Sequence, residues 1–202
     1  PQVPGIGTGA RRRWGPDTGP CWVKRTGKRR STGAMMGVRN SIRNTFVRSP
    51  MHRKRCVDDG DCLMLRKNRT KLSKQERYSH INALVLSGGP LLISDDVTRF
   101  DDELWARYGT IAALNGECAA GDCLALDLMA RGVPELIYNT AGCLGIFNMG
   151  ERAAAKRADL SGVLPAGAWS LVDLWSGERL ALAPDRILAL PKIPAHGSRL
   201  FR

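Results

Sequence analysis

Asp61-Cys62-Leu63-Met64-Leu65-Arg66 and, further along, Ser87-Gly88-Gly89-Pro90-Leu91-Leu92-Ile93-Ser94-Asp95-Asp96 are the two stretches on which the fold turns. Each sets a short apolar run against carboxylates at one end. A run of this length fits a strand covered on both faces, as in a parallel sheet packed under helices. Carboxylates are costly to bury unpaired, so at the edge of such a strand they mark a polar site on the rim of a closed core. In an eight-stranded α/β barrel, that rim is where the chemistry takes place.

Working outward, the segment between the two runs opens on Ser73-Lys74-Gln75-Glu76. This is the spacing of a capping box, in which the serine and glutamate side chains satisfy orphan backbone donors at a helix start. Tyr78, Ile81, Leu84 and Val85 then line one helical face until Ser87-Gly88-Gly89 ends it. Upstream, Met35, Val38, Ile42 and Phe46 recur at threes and fours, with Arg39 and Arg43 on another face. That pattern predicts an amphipathic helix from Gly33 to about Arg48. Arg11 to Trp14 reads as a short strand ended by Gly15-Pro16-Asp17, and Asp101-Asp102-Glu103 puts negative charge where a helix start favours it. Alternation of strand and helix is the signature of βαβ units. The rest of residues 1–32 is Gly/Pro/Arg-rich loop, and Gly5-x-Gly7-x-Gly9 has neither a strand before it nor a helix after it, as a phosphate loop requires.

After about Ala113 the character changes to short runs separated by turn residues: Leu124–Met129, Leu136–Tyr138, Leu144–Asn148, Trp169–Trp175, Leu180–Ala183 and Ile187–Leu190. Such spacing suggests an antiparallel β domain. The expected organisation is therefore α/β over residues 1–117 and all-β over 118–202.

The net charge of +12 is unevenly spread: residues 1–80 hold 20 Lys/Arg against 5 Asp/Glu, and the remainder 11 against 14. A basic half suggests either a nucleic-acid footprint or a solvated surface. The basic residues fall in isolated triplets (Arg11 to Arg13, Lys28 to Arg30, Arg53 to Arg55) rather than a continuous stripe, which favours the surface. No run of eighteen apolar residues is present, so no membrane span is expected. Six cysteines are too sparse for a disulfide scaffold, and neither they nor the three histidines have zinc-site spacing; no metal or cofactor is expected. The chain opens on Pro1-Gln2-Val3-Pro4-Gly5 without an initiator Met, as expected of a fragment.

Taken in order, Arg13-Trp14-Gly15-Pro16-Asp17-Thr18-Gly19-Pro20, Arg39-Asn40-Ser41-Ile42-Arg43-Asn44-Thr45, Asp59-Gly60-Asp61-Cys62-Leu63-Met64-Leu65-Arg66 and Leu86 to Asp96 resemble the α-galactosidase group of glycoside hydrolases, family 36 of clan D. Val172-Asp173-Leu174-Trp175-Ser176-Gly177-Glu178 and Ile193-Pro194-Ala195-His196-Gly197-Ser198-Arg199-Leu200 are similar to that family's C-terminal β domain. The resemblance implies the last three β/α units of a TIM-type (β/α)8 barrel followed by a C-terminal antiparallel β-sandwich. It implies a retaining α-glycosidase that hydrolyses terminal α-galactosides, or related oligosaccharides, by double displacement. No membrane or nucleic-acid partner is expected.

In that family the acid/base aspartate follows an arginine by four residues at the end of the sixth barrel strand, a pattern that falls here on Arg13 and Asp17. The turn at Gly15-Pro16 would expose Asp17 to the barrel mouth; without the resemblance, Asp17 reads as an ordinary turn residue. Arg13 would bind sugar hydroxyls or pair with a carboxylate. Asp61 and Cys62 match the pair that ends the seventh strand and lines the sugar pocket, with an ion pair between Asp61 and Arg13 as the alternative. Asp95 and Asp96 are expected to shape the rim, and Trp22 to pack or to offer a face to a sugar. Gly60, Asp58 and Ala10 depart from the proline, asparagine and acidic residue usual in the family. The family's nucleophile lies on a fourth strand, which has no counterpart here, so the chain by itself is expected to be inactive. The alternatives are a non-catalytic remnant of such an enzyme and a basic nucleic-acid-binding protein.

Overall fold

The computed structural model describes residues 11–13, 15, 17–23, 36–54 and 56–202. The glycine-rich start, Ala10, Trp14, Pro16, Lys28 to Arg30, the Gly33–Met35 end of the first expected helix, and Arg55 lie outside them.

The first part is built of parallel pairs joined by helices. β1 (Arg11–Arg13) runs parallel to β2 (Val57–Asp59), with Arg13 opposite Asp59. β2 does not continue straight into the Asp61–Arg66 run: the strand is broken at Gly60-Asp61, where Asp61 adopts a left-handed φ of 72°. It resumes as β3 (Cys62–Leu63), parallel to β4 (Leu92–Ile93). Aspartate tolerates that backbone better than most residues, and here the Asp61 N–H donates to Asp59 Oδ1 at 2.8 Å. Helix α1 (Val38–Arg48) lies between β1 and β2, α2 (Lys74–Ser87) between β3 and β4, and α3 (Asp102–Cys118) follows β4.

Both halves of the capping box are formed at α2: Glu76 N–H donates to Ser73 Oγ (3.2 Å) and Ser73 N–H to Glu76 Oε2 (2.7 Å). The helix ends at Gly88, whose φ is 60°. The sequence suggests one apolar face, yet every residue from Ser79 to Ser87 is buried. The helix is packed against α1 and α3 and also against two strands of the second part, β7 (Cys143–Phe147) and β12 (Ser198–Phe201). Its polar residues meet that sheet through hydrogen bonds: Ser79 Oγ to His196 O (2.7 Å) and Asn82 Nδ2 to Ser198 Oγ (2.8 Å).

The second part is antiparallel. β5 (Cys123–Ala125), β6 (Leu136–Asn139), β7 and β12 form a sheet in the order β12-β7-β6-β5. β8 (Ala154–Asp159) pairs with β11 (Ile187–Ile193), and β9 (Trp169–Val172) with β10 (Arg179–Leu182). β7 is buried on both faces, and its residues alternate between two cores. Cys143 and Phe147 join the core around α2, with Val38, Ile42, Phe46, Leu84 and Leu86. Leu144 and Ile146 join a second core with Leu160, Leu171, Leu182, Leu188 and Phe201. Gly145 permits this approach, since a Cβ there would lie 2.3 Å from Leu86 Cδ1. Of the expected short runs, Leu124–Met129 is strand only as far as Ala125; the rest is turn, with Met129 exposed. Among the described residues, no helix is long and apolar enough to cross a membrane.

Candidate functional site

β1 and β2 run parallel, so the segments that follow them, one carrying Asp17 and the other Asp61, leave on the same side of that pair; β3 and β4, also parallel, end on one side of theirs. Asp17, in the segment after β1, is exposed. Thr18, next to it, is buried, and its N–H donates to the buried carboxylate of Asp61, at Oδ2. The Cys62 thiol lies 3.8 Å from Thr18 O. The structure thus brings Asp17-Thr18 and Asp61-Cys62 together through the backbone of Thr18. Burial, and then the charge of Asp61, push the Cys62 thiol up, which keeps it protonated and unreactive.

The kink that aims Asp61 at Thr18 has local causes. Ser41 Oγ of α1 donates to Gly60 O at 2.9 Å. A Cβ at Gly60 would stand 2.7 Å from Leu84 Cδ2, so the glycine found where the resembling family has proline makes room for a leucine of α2. Arg13 is placed by its backbone, opposite Asp59 and two residues short of Asp61. Its side chain is outside the described atoms.

The carboxylates after β4 are committed to structure. Asp95 Oδ2 accepts the N–H groups of Leu65 (2.5 Å) and Arg66 (3.1 Å), and Oδ1 pairs with Arg66 Nη1 (2.5 Å). Asp96 caps the short turn Val97–Arg99 through Thr98, whose hydroxyl holds its carboxyl below the ordinary range. Beside them is a cavity of about 520 Å³ lined by Arg66, Asn68, Arg69, Asp95, Asp96 and Arg99. A second, of about 470 Å³, is lined by Gly19, Pro20, Cys21, Arg69, Thr70 and Lys71, so Arg69 stands between the two. Trp22 is buried and stacked on His196, which leaves its face closed to a sugar.

Sequence reasoning missed Thr18, the link between the two motifs, because a backbone N–H carries no residue signature. It also missed His80, buried on α2 with no hydrogen-bond partner at either ring nitrogen among the described residues. Burial pushes His80 down to about 4, against an opposing pull from the negative charge of Asp61. The imidazole is therefore neutral at neutral pH. The site as built presents the exposed carboxyl of Asp17 on a loop held by the buried one of Asp61.

No protein-family model matches the chain. Solved structures do. α-Galactosidase I from Mortierella vinacea superposes with a TM-score of 0.65 at 18% identity, over 95% of this chain and 52% of its own. An α-galactosidase from Saccharomyces cerevisiae, also solved with raffinose, gives 0.67 at 14% identity, over 95% and 59%. The fold is shared with α-galactosidases. A family 27 β-L-arabinopyranosidase from Geobacillus stearothermophilus gives 0.62 at 15%, over 80% and 40%. At these identities the likeness shows the fold, and it does not single out family 36. The chain spans about half the length of the solved structures it matches.

Proposed function

We propose that this chain is the C-terminal part of a retaining α-glycosidase of clan D, acting on terminal α-galactosides or related oligosaccharides. Its sequence motifs point to family 36 and one matched structure belongs to family 27; the clan is the level at which we place it. In this reading residues 1–117 supply the last three β/α units of a TIM-type barrel. Residues 118–202 supply the antiparallel β domain, a sandwich whose layers meet across the second core.

The observation that carries the reading is the hydrogen bond from Thr18 N–H to Asp61. It fastens the Asp17 loop to the neighbouring strand on the side where parallel strands end, which is where barrel enzymes hold their catalytic residues. Asp17 is the general acid and base. A nucleophilic carboxylate from a fourth strand, outside this sequence, attacks the anomeric carbon while Asp17 protonates the leaving oxygen. Asp17 then takes a proton from the water that releases the sugar. Arg13 and the Asp61-Cys62 pair line the sugar pocket, with Asp61 also holding the loop.

The test is turnover by a protein that joins this chain to the barrel segment encoded ahead of it. Asp17→Asn should slow hydrolysis of a galactoside with a poor leaving group by about 10²–10⁴-fold, and much less for an activated aryl galactoside. Turnover within twofold of wild type on both would overturn the role of Asp17. The 202-residue chain alone should be inactive, and robust hydrolysis of an aryl α-galactoside by it would show that no outside nucleophile is needed.

A further inference from the structure

Trp22, on the loop that begins with Asp17, turns inward until only 7% of it is exposed. Its indole stacks on the imidazole of His196, with ring centroids 4.6 Å apart and planes 21° from parallel. His196 belongs to the turn between β11 and β12, in the antiparallel part of the molecule, and has a left-handed φ of 57°.

The ring is aimed by a carboxylate of α2. Nδ1 lies 2.8 Å from Glu76 Oε1, on the same glutamate whose other oxygen closes the capping box of α2. Glu151 Oε2, from the segment between β7 and β8, lies 3.2 Å from Nε2 without hydrogen-bond geometry. The turn's backbone is held too, since Ser79 Oγ donates to His196 O at 2.7 Å. The Asp17 loop also meets its own part of the molecule: Thr18 on Asp61, Gly19 N–H on Met36 O (2.6 Å), Pro20 O on Lys71 N–H (2.8 Å), and Cys21 O and Trp22 O on the N–H groups of Val38 (2.9 Å) and Arg39 (3.1 Å) of α1. The stack on His196 ties it to the β part.

We infer that His196 is a positioning residue for Asp17: its ring, oriented by Glu76, sets the indole of Trp22 and through Trp22 the loop that presents the acid/base carboxyl. This inference rests on the reading of Asp17 given above. It assigns the antiparallel part a role in the site beyond covering the helices.

The experiment uses the 202-residue chain labelled with 5-fluorotryptophan, with the Trp22 resonance assigned through Trp22→Phe. His196→Asn removes the ring while keeping a residue that tolerates the left-handed backbone. The Trp22 fluorine resonance should move toward that of a solvated indole. Amide exchange at Thr18, Gly19, Cys21 and Trp22 should quicken by about tenfold, while the buried half of α2 and strand β7 keep their protection. His196→Phe, which restores a ring, should return both signals towards wild type. An unmoved resonance in His196→Asn, or an equal acceleration in α2 and β7, would overturn the inference, the latter by showing general destabilisation. In the joined protein, His196→Asn should lower kcat with KM within about twofold, the mark of a misplaced catalytic group. If the loop responds as expected but Asp17→Asn leaves turnover intact, the glycosidase assignment of Asp17 fails and the linkage stands.

Discussion

His80 carries two ring nitrogens into the interior, and neither finds a partner among the described residues. The unfolded chain takes up a proton on this residue near the ordinary histidine value of 6.5, the folded chain only near 4. Its contribution is therefore fully present above about pH 6.5 and is lost as pH falls towards 4, with no further loss below. Over the whole window the effect is on the order of 3 kcal/mol. His52, pushed down by burial and then by the charge of Arg53, acts in the same direction. The urea midpoint should fall between about pH 7 and pH 4.5, and His80→Leu should flatten that slope; equal slopes in the two proteins would refute the assignment. At this scale, the sequence shows residue types and the structure shows what they touch. Asp61 is legible as a rim carboxylate because it abuts an apolar run. That it accepts the N–H of Thr18, 43 positions away, is a property of the fold.

At the scale of elements, α2 is where the sequence speaks most clearly, because a capping box is a local device whose two halves lie three residues apart. Ser73→Ala should cost about 1 kcal/mol in urea unfolding, as loss of a helix cap does. Glu76 does more than close the box, since it also meets His196. Glu76→Ala and His196→Asn should therefore be non-additive, with a coupling of about 0.5–3 kcal/mol in a double-mutant cycle. A coupling of zero would separate the cap from the sheet. Two strands escape sequence reasoning. β8 reads Ala-Ala-Lys-Arg-Ala-Asp, small and charged residues of which every second one is exposed, so it shows no apolar run. β12 has no apolar run of its own: Leu200 and Phe201 enter different cores, Ser198 meets α2 and Arg199 pairs with Asp173 and Glu178. The all-round burial of α2 is likewise not legible, because Ser79 and Asn82 look like solvent-facing positions until their partners on β12 are known.

At the scale of the molecule, the α/β part and the antiparallel part share a core. Phe46 of α1 meets Phe147 of β7 edge to face, with centroids 5.1 Å apart. Asn139 of β6 is fully buried, and its side-chain amide donates to Leu86 O (2.9 Å) and Cys118 O (3.0 Å), at the ends of α2 and α3. The two parts should therefore unfold together, as one calorimetric transition. Asn139→Ala, which strands both carbonyls, should lower stability by about 2–4 kcal/mol; two separate wild-type transitions would refute the shared core. The basic charge reads differently at this scale as well. The guanidinium of Arg53 donates to Ala119 O and Gly121 O just beyond α3 and pairs with Asp122 at 3.6 Å, so one member of an apparent surface triplet helps to hold the fold. The sequence by itself determined the alternation of strand and helix in the first part, the cap of α2 and the carboxylates beside the apolar runs, because short-range periodicity, capping and turn chemistry depend on neighbours in the chain. Only the tertiary structure decided that Asp61 holds the Asp17 loop and that the β part reaches Trp22 through His196. Those contacts join residues far apart in sequence, and the packing of one part on the other sets them.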